Sequence, residues 1–319
     1  PLRATSTTRP TRSGYGVPVE AGRSAVHDLE LVELGTVEAG DHQLTIRAHR
    51  GADPASPVMI VLPAMGVPAR YYQPFLRSLA ARGRTVVSFD LRGQGEALPR
   101  ARRGIRFGYQ DLIDDTGAVV DLVARNFPQA PRFLLGHSLG GQVALLYSAS
   151  HPDRVSGVTL LGSGSVWFRS FQGSRAWKNL AGTQVVAALS AVLGCWPGER
   201  LGFGGRQPAG VMRDWARQGR SGRYRLGGSD TDYEAALAAS DVPLLTVTMD
   251  GDELAPESSV DHLAGKAARS ARTRRHYSCE IAGAAKLGHY AWVHNSDELA
   301  RWIGEWAVAA AVEPAAESG

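Results

Sequence analysis

Short apolar runs, each followed by a helix-like stretch, constrain this chain more than any other feature. Val58–Leu62, Thr85–Phe89, Phe133–Leu135, Val158–Leu161 and Pro243–Met249 are too short for buried helices and lack the strict alternation of a half-exposed strand. Runs of this kind are strands buried on both faces, which requires helices on either side of a sheet. Candidate helices occupy about 70–81, 109–125, the stretch from Gln142 onward, 257–268 and 298–312. The alternation predicts an α/β fold with a mostly parallel central sheet covered on both faces. Two earlier runs, 27–37 and 43–49, flank Gly40-Asp41 and predict an antiparallel start to the sheet. The last strand is expected near 276–281.

The run Phe133-Leu134-Leu135 ends in Gly136-His137-Ser138-Leu139-Gly140, followed at once by Gln142–Tyr147. A serine between an apolar strand and a helix sits on a tight turn that lifts its hydroxyl above the sheet edge. The first N–H groups of the helix are left free beside it. The glycines permit the strand and helix to approach closely. Serine is a poor nucleophile at neutral pH and needs a base, with a third group to hold that base. In open α/β sheets ligands bind beyond the carboxyl ends of the strands, so the partners belong on later strand-end loops. Asp250, Asp252 and Glu253 follow Met249, and His289 follows the last expected strand. Of the other histidines, His137 is expected to point into the sheet as a packing residue, and His151 lies at a helix end. His27, His42, His49, His262, His276 and His294 read as surface or structural.

The strand rhythm stops between Ser165 and Val242. That segment holds Trp167, Phe168, Phe171, Trp177, Trp196, Phe203 and Trp215, and an insertion of this length predicts a cap over a binding site. The domain reading is a flexible arm at 1–25, a core at 26–164 and 243–312, a cap at 165–242, and a C-terminal tail at 313–319. Within the cap, Leu180–Leu193 is interrupted by Gly182, Thr183, Gln184 and Ser190, too short a run to span a membrane. Its apolar residues recur at helical spacing and predict a buried or substrate-facing helix. The arm lacks the apolar stretch of a signal peptide. A net charge of +4 is too small to call for a nucleic-acid partner. Two cysteines, Cys195 and Cys279, make no disulfide framework, which fits a cytoplasmic location.

Several of these stretches together resemble the α/β-hydrolase superfamily, in its serine-nucleophile branch. Gly136-His137-Ser138-Leu139-Gly140-Gly141 and Asp90-Leu91-Arg92-Gly93-Gln94-Gly95 are similar to its motifs. Leu62-Pro63-Ala64-Met65-Gly66-Val67 with Tyr71-Tyr72, Pro197–Gly204, Asp214-Trp215-Ala216-Arg217, Asp252–Pro256 and Leu287-Gly288-His289 resemble a bacterial group of α/β hydrolases with no settled substrate. The resemblance covers about residues 26 to 310. It implies an α/β-hydrolase fold with a helical cap insertion, and the chain order Ser138, Asp252, His289 for nucleophile, acid and base. The Asp-x-x-x-Pro spacing to Pro256 favours Asp252 over Asp250 and Glu253. Oxyanion donors are expected in the N–H groups of Leu139 and Met65, with Ala64 as the fallback for Met65. Three positions depart from the superfamily pattern. Pro63-Ala64 stands where many members carry His-Gly, Glu96-Ala97 follows the Arg-Gly-x-Gly turn where serine is common, and the nucleophile is serine rather than the aspartate of dehalogenases.

The expected activity is cleavage of a small-molecule carboxylic ester or thioester through an acyl-enzyme on Ser138, with no metal and no cofactor. Trp167, Phe168 and Trp215 are the cap residues expected to meet an apolar acyl group. Acyl transfer or cyclisation with the same three residues is the alternative, and a non-catalytic ligand-binding module a more distant one.

Overall fold

The computed structural model describes residues 30–39 and 42–312. The arm at 1–25, the start of the first expected strand, the Gly40-Asp41 turn and the tail at 313–319 lie outside the described residues. The described residues form ten strands: β1 Leu31–Ala39, β2 His42–His49, β3 Val58–Leu62, β4 Thr85–Ser88, β5 Arg132–His137, β6 Gly157–Leu161, β7 Cys195–Pro197, β8 Arg206–Pro208, β9 Leu244–Met249 and β10 Arg272–Tyr277. Eight of them form one sheet in the order β1-β2-β4-β3-β5-β6-β9-β10, and β7 pairs with β8 separately. β2 is antiparallel to both β1 and β4, and every later pairing in the large sheet is parallel.

The inner strands β3, β4, β6 and β9 are mostly apolar because both faces of the sheet are covered there. Along β3, Val58, Ile60 and Leu62 join one apolar cluster with Leu112, Val119 and Val143, while Met59 and Val61 join another with Phe75, Leu76 and Ile303. The helices Tyr109–Asn126 and Leu139–Ser150 thus cover one face, and Gln73–Ala80 and Asp297–Val312 the other. Side chains alternate across a strand, so a single five-residue run serves both layers. This is the mostly parallel sheet with helices on both faces that the apolar runs predict.

Two expectations are corrected. The last strand is Arg272–Tyr277, not 276–281, and Cys279–Ala282 is a short helix capped by Ser278, whose side chain accepts the Ile281 N–H. β10 is an edge strand, and edges carry charge to block further pairing. Its Arg272, Arg274, Arg275 and His276 therefore hide the apolar signal that marks the inner strands. The second correction concerns the helix that includes Leu180–Leu193. It runs from Ser174 to Leu193 and buries only Thr183, Val186 and Ser190. Val185, Leu189, Val192 and Leu193 are exposed, Val192 at 70%. No helix among the described residues is long and apolar enough to cross a membrane.

Between β6 and β9 the chain forms this long helix, the small β7–β8 sheet and the helices Ala209–Ser221 and Tyr233–Ala239. Gly182 lies inside the long helix, and a Cβ there would meet nothing within 4 Å. A glycine in a helix interior costs about 0.8–1 kcal/mol relative to alanine. Gly182→Ala is expected to raise the unfolding free energy by about that amount in urea titration, and an unchanged or lower midpoint would contradict the open setting of this helix face.

Candidate active site

The site lies where β3, β5, β6 and β9 end. Ser138 follows β5 directly and starts the helix Leu139–Ser150 with φ 54° and ψ −117°. It is the one non-glycine residue with positive φ among the described residues. That backbone is costly for a residue with a Cβ and persists only where its surroundings hold it. They do so by close approach. A Cβ on Gly136 would lie 2.3 Å from Gly141, and one on Gly140 2.2 Å from the Leu62 carbonyl oxygen. The Ser138 N–H donates to the Leu161 carbonyl at 3.2 Å, and the Ser163 hydroxyl donates to the Ser138 carbonyl at 2.7 Å. The serine side is thus tied to β6.

Asp252 and His289 arrive from the other side. Asp252 is buried just past β9, where Oδ1 accepts the Leu254 and Ala255 N–H groups at 3.0 and 2.9 Å. Pro256 then begins the helix Glu257–Ala264. His289 Nδ1 lies 2.9 Å from each Asp252 carboxylate oxygen. A carboxylate can only accept, so Nδ1 carries a proton, and in the neutral imidazole that leaves Nε2 as the acceptor. The Gly288 N–H donates to the Asp250 carbonyl at 2.9 Å and joins the two loops. Asp250 and Glu253 are engaged elsewhere. The Asp250 carboxylate accepts the Cys279 N–H at 2.8 Å and pairs with His276 Nε2 at 2.9 Å, contacts that hold it below its usual range. Glu253 pairs with Arg175 at 2.5 Å on the surface. Of the three carboxylates, Asp252 alone hydrogen-bonds His289. Ser138 Oγ and His289 Nε2 do not hydrogen-bond in this geometry; such contacts are commonly long without substrate and tighten when it binds.

The loop after β3 sorts its own N–H groups. Ala64 donates to the Tyr72 hydroxyl at 2.9 Å and Gly66 to Gln94 Oε1 at 2.7 Å. Among the described residues, the Met65 and Leu139 N–H groups have no protein acceptor. Gln94 comes from the Asp90–Gly95 turn after β4. The motif signal marked that turn, and its task in bracing the loop is read from the structure. In the sequence Tyr72 stands out only as part of a resembling stretch. Trp292, whose indole donates to the His289 carbonyl at 3.0 Å, was not singled out.

The segment between β6 and β9 reaches this loop backbone to backbone. A Cβ on Gly66 would fall 2.4 Å from Gly204, and one on Gly205 2.8 Å from the Gly66 Cα. Trp215 belongs to the same apolar cluster as Met65, Leu139 and Trp196, with Phe203 packed against it. Trp167 lies instead against His262, ring centroids 4.5 Å apart, and Phe168 against Trp177 at 5.7 Å. No group of three or more candidate metal ligands occurs among the described residues.

Comparisons with known proteins found relatives in sequence and in fold. The family model described as serine aminopeptidase, S33, matches residues 53–191. The monoacylglycerol lipase of Mycolicibacterium smegmatis is 28% identical over 58% of this chain and 66% of its own length. The monoglyceride lipase of Mus musculus is 33% identical over 24% of each chain. The phospholipase YtpA of Bacillus subtilis is 40% identical over 28% of this chain and 33% of its own. This chain spans between about a quarter and two thirds of the first curated relatives it matches. In structure it is similar to Est1E of Butyrivibrio proteoclasticus, solved with ferulic acid, at a TM-score of 0.61 and 12% identity over 88% of this chain and 100% of that one. A thioesterase domain from the curacin biosynthetic pathway aligns at a TM-score of 0.53 and 17% identity over 88% of this chain and 99% of that one. Likeness at such identities speaks to the fold.

His137, beside the serine, is fully buried, and burial followed by the neighbouring His289 holds it well below the usual histidine range. An unfolded histidine titrates near about 6.5. Below that pH the unfolded chain binds a proton the fold refuses, so stability falls as pH drops from there toward the lower folded value. His262, lowered by burial and Lys266, adds to the same slope. His137→Gln is expected to flatten the stability–pH slope by up to about 1.4 kcal/mol per pH unit in this window. Urea unfolding between about pH 6.5 and 5 measures it, and an unchanged slope would contradict a neutral buried His137.

Proposed function

We propose that this chain is a serine hydrolase of the α/β-hydrolase superfamily, acting on a small carboxylic ester or thioester with an apolar acyl group. The observation that carries the reading is the buried His289–Asp252 pair on the loops flanking a strained serine. Ser138 Oγ attacks the carbonyl carbon while His289 Nε2 takes its proton. Asp252 holds the imidazole by Nδ1 and stabilises the imidazolium that forms. The tetrahedral oxyanion accepts from the Met65 and Leu139 N–H groups; loss of one such donor typically costs about 10²–10³ in rate. The imidazolium then protonates the leaving alcohol or thiol as its bond to carbon breaks. Water, deprotonated by the same nitrogen, attacks the acyl-enzyme and releases the acid.

Residues 165–242 form the cap in this reading, over a core of 26–164 and 243–312. The glycine-to-glycine contact with the loop after β3 supports it, as do the Arg175–Glu253 pair and the 2.6 Å bond from the Ser258 hydroxyl to the Ser170 carbonyl. The apolar acyl group follows from Trp215 and Phe203 in the cluster that includes Met65 and Leu139. Trp167 and Phe168 would act further along the cap. The names borne by the sequence relatives, lipases of monoglycerides and a phospholipase, fit an ester of this type. Cys195 and Cys279, both unpaired, support a cytoplasmic location.

A p-nitrophenyl ester series of increasing acyl length tests this directly. Ser138→Ala is expected to lower kcat by more than about 10³-fold, and Asp252→Asn by about as much. Asp250→Asn and Glu253→Gln are expected to stay within about threefold of wild type, since neither touches the base. Turnover that survives in Ser138→Ala, or that collapses in Asp250→Asn but not Asp252→Asn, would overturn the assignment.

A further inference from the structure

The mechanism above leaves one buried titratable side chain at the site without a task. His137 stands directly before Ser138 and has no exposed surface. Its ring centroid is 4.7 Å from that of His289. On one side, Tyr72 Oη lies 2.7 Å from His137 Nδ1 and accepts the Ala64 N–H at 2.9 Å. A phenol has a single proton to give. With its oxygen already accepting from Ala64, Tyr72 donates to Nδ1, so the His137 proton sits on Nε2. That N–H is buried without a hydrogen-bond partner. It faces the His289 backbone, whose carbonyl accepts the Trp292 indole. His137 packs edge to face on Tyr72 at 5.8 Å and on Trp292 at 5.3 Å.

We propose that Tyr72 and His137 are positioning residues that couple the loop after β3 to the back of His289. The proposal rests on the reading of Ser138 and His289 as nucleophile and base. Tyr72 withdraws the Ala64 N–H, so Met65 is the donor that remains for the oxyanion. His137 holds Tyr72 in that position and presents its Nε2–H to the His289 backbone. Packing alone does not account for this arrangement, because a phenylalanine would fill the His137 site without a buried, unpaired N–H. An orphaned buried donor is costly, and it is retained where the site uses it. When His289 shifts toward Ser138 in the transition state, its backbone carbonyl can move onto this waiting donor. The gain then falls on the transition state and not on bound substrate, so it appears in kcat.

Tyr72→Phe, His137→Phe and the double variant test the coupling on a p-nitrophenyl ester, with an alkylboronic acid as the tetrahedral probe. Each single change is expected to lower kcat about ten- to a hundredfold, the rate equivalent of one buried hydrogen bond lost. KM should stay within about twofold, and boronate affinity should fall by the factor lost from kcat. The double variant should be no worse than the poorer single one, because the two side chains act as a unit. Tyr72→Phe preserves shape, so it keeps the test alive if His137→Phe unfolds on thermal melting. A folded Tyr72→Phe with wild-type kcat and boronate affinity, an effect confined to KM, or losses that multiply in the double variant would each overturn the proposal. Hydrolysis that survives Ser138→Ala would overturn the parent reading and this one with it. An inactive Ser138→Ala beside an unaffected Tyr72→Phe would overturn this one alone.

Discussion

The strand–helix contact at the serine turn is the constraint on which the rest of the molecule depends. The helix Leu139–Ser150 begins so close to β5 and β3 that Gly136, Gly140 and Gly141 meet neighbouring backbone where a Cβ would stand. That closeness forces Ser138 into a positive φ, and the strain is held by packing on both faces of the sheet. It also fixes the register of β5 between β3 and β6, where Leu62 pairs with Gly136 and His137 with Leu161. The carboxyl ends of these strands therefore come level, and the loops that follow them converge on one point. A turn that is locally unfavourable thus organises the sheet around itself.

Convergence alone would leave a set of mobile loops, so the bracing between them matters as much. Each loop at the site is tied to another by a backbone group. The Gly66 N–H goes to Gln94, that of Ala64 to Tyr72 and that of Gly288 to the Asp250 carbonyl. The Tyr71 hydroxyl donates to the Tyr290 carbonyl at 2.9 Å, and so joins the loop after β3 to the loop that carries His289. Backbone donors that are already committed cannot compete for a ligand. The bracing therefore also selects which N–H groups remain open, and leaves two of them near the serine. A group preorganised in this way costs no rearrangement when charge develops beside it.

Much of this was legible in the sequence, and the rest was hidden for definite reasons. The inner strands were readable because burial on both faces leaves an uninterrupted apolar run. β10 was not, because an edge strand hides its role behind Arg272, Arg274 and Arg275. The resemblance of Asp252–Pro256 to the Asp-x-x-x-Pro loop of α/β hydrolases set one carboxylate apart from its two neighbours. The helix Ser174–Leu193 was readable as a helix, but periodicity cannot say whether an apolar face meets protein or solvent. His137 was legible as buried. Its partner Tyr72 lies 65 positions away, and no local pattern carries that distance.

The same distinction explains why the two histidines at the site differ so much in character. His289 has a carboxylate at Nδ1, and in the proposed mechanism the charge of Asp252 stabilises the imidazolium that forms there. His137 has the Tyr72 hydroxyl at Nδ1, with aromatic rings and the His289 backbone around it, and the His289 ring lies 4.7 Å away. A proton on either ring opposes a proton on the other, and burial makes that opposition stronger than it would be in water. In the proposed mechanism, a neutral His137 leaves the charge that forms on His289 unopposed. If His137 were to hold a proton, it would repel the imidazolium at the moment that charge forms. Burial against Tyr72 and Trp292 keeps His137 neutral, which is the state the proposed mechanism needs beside His289.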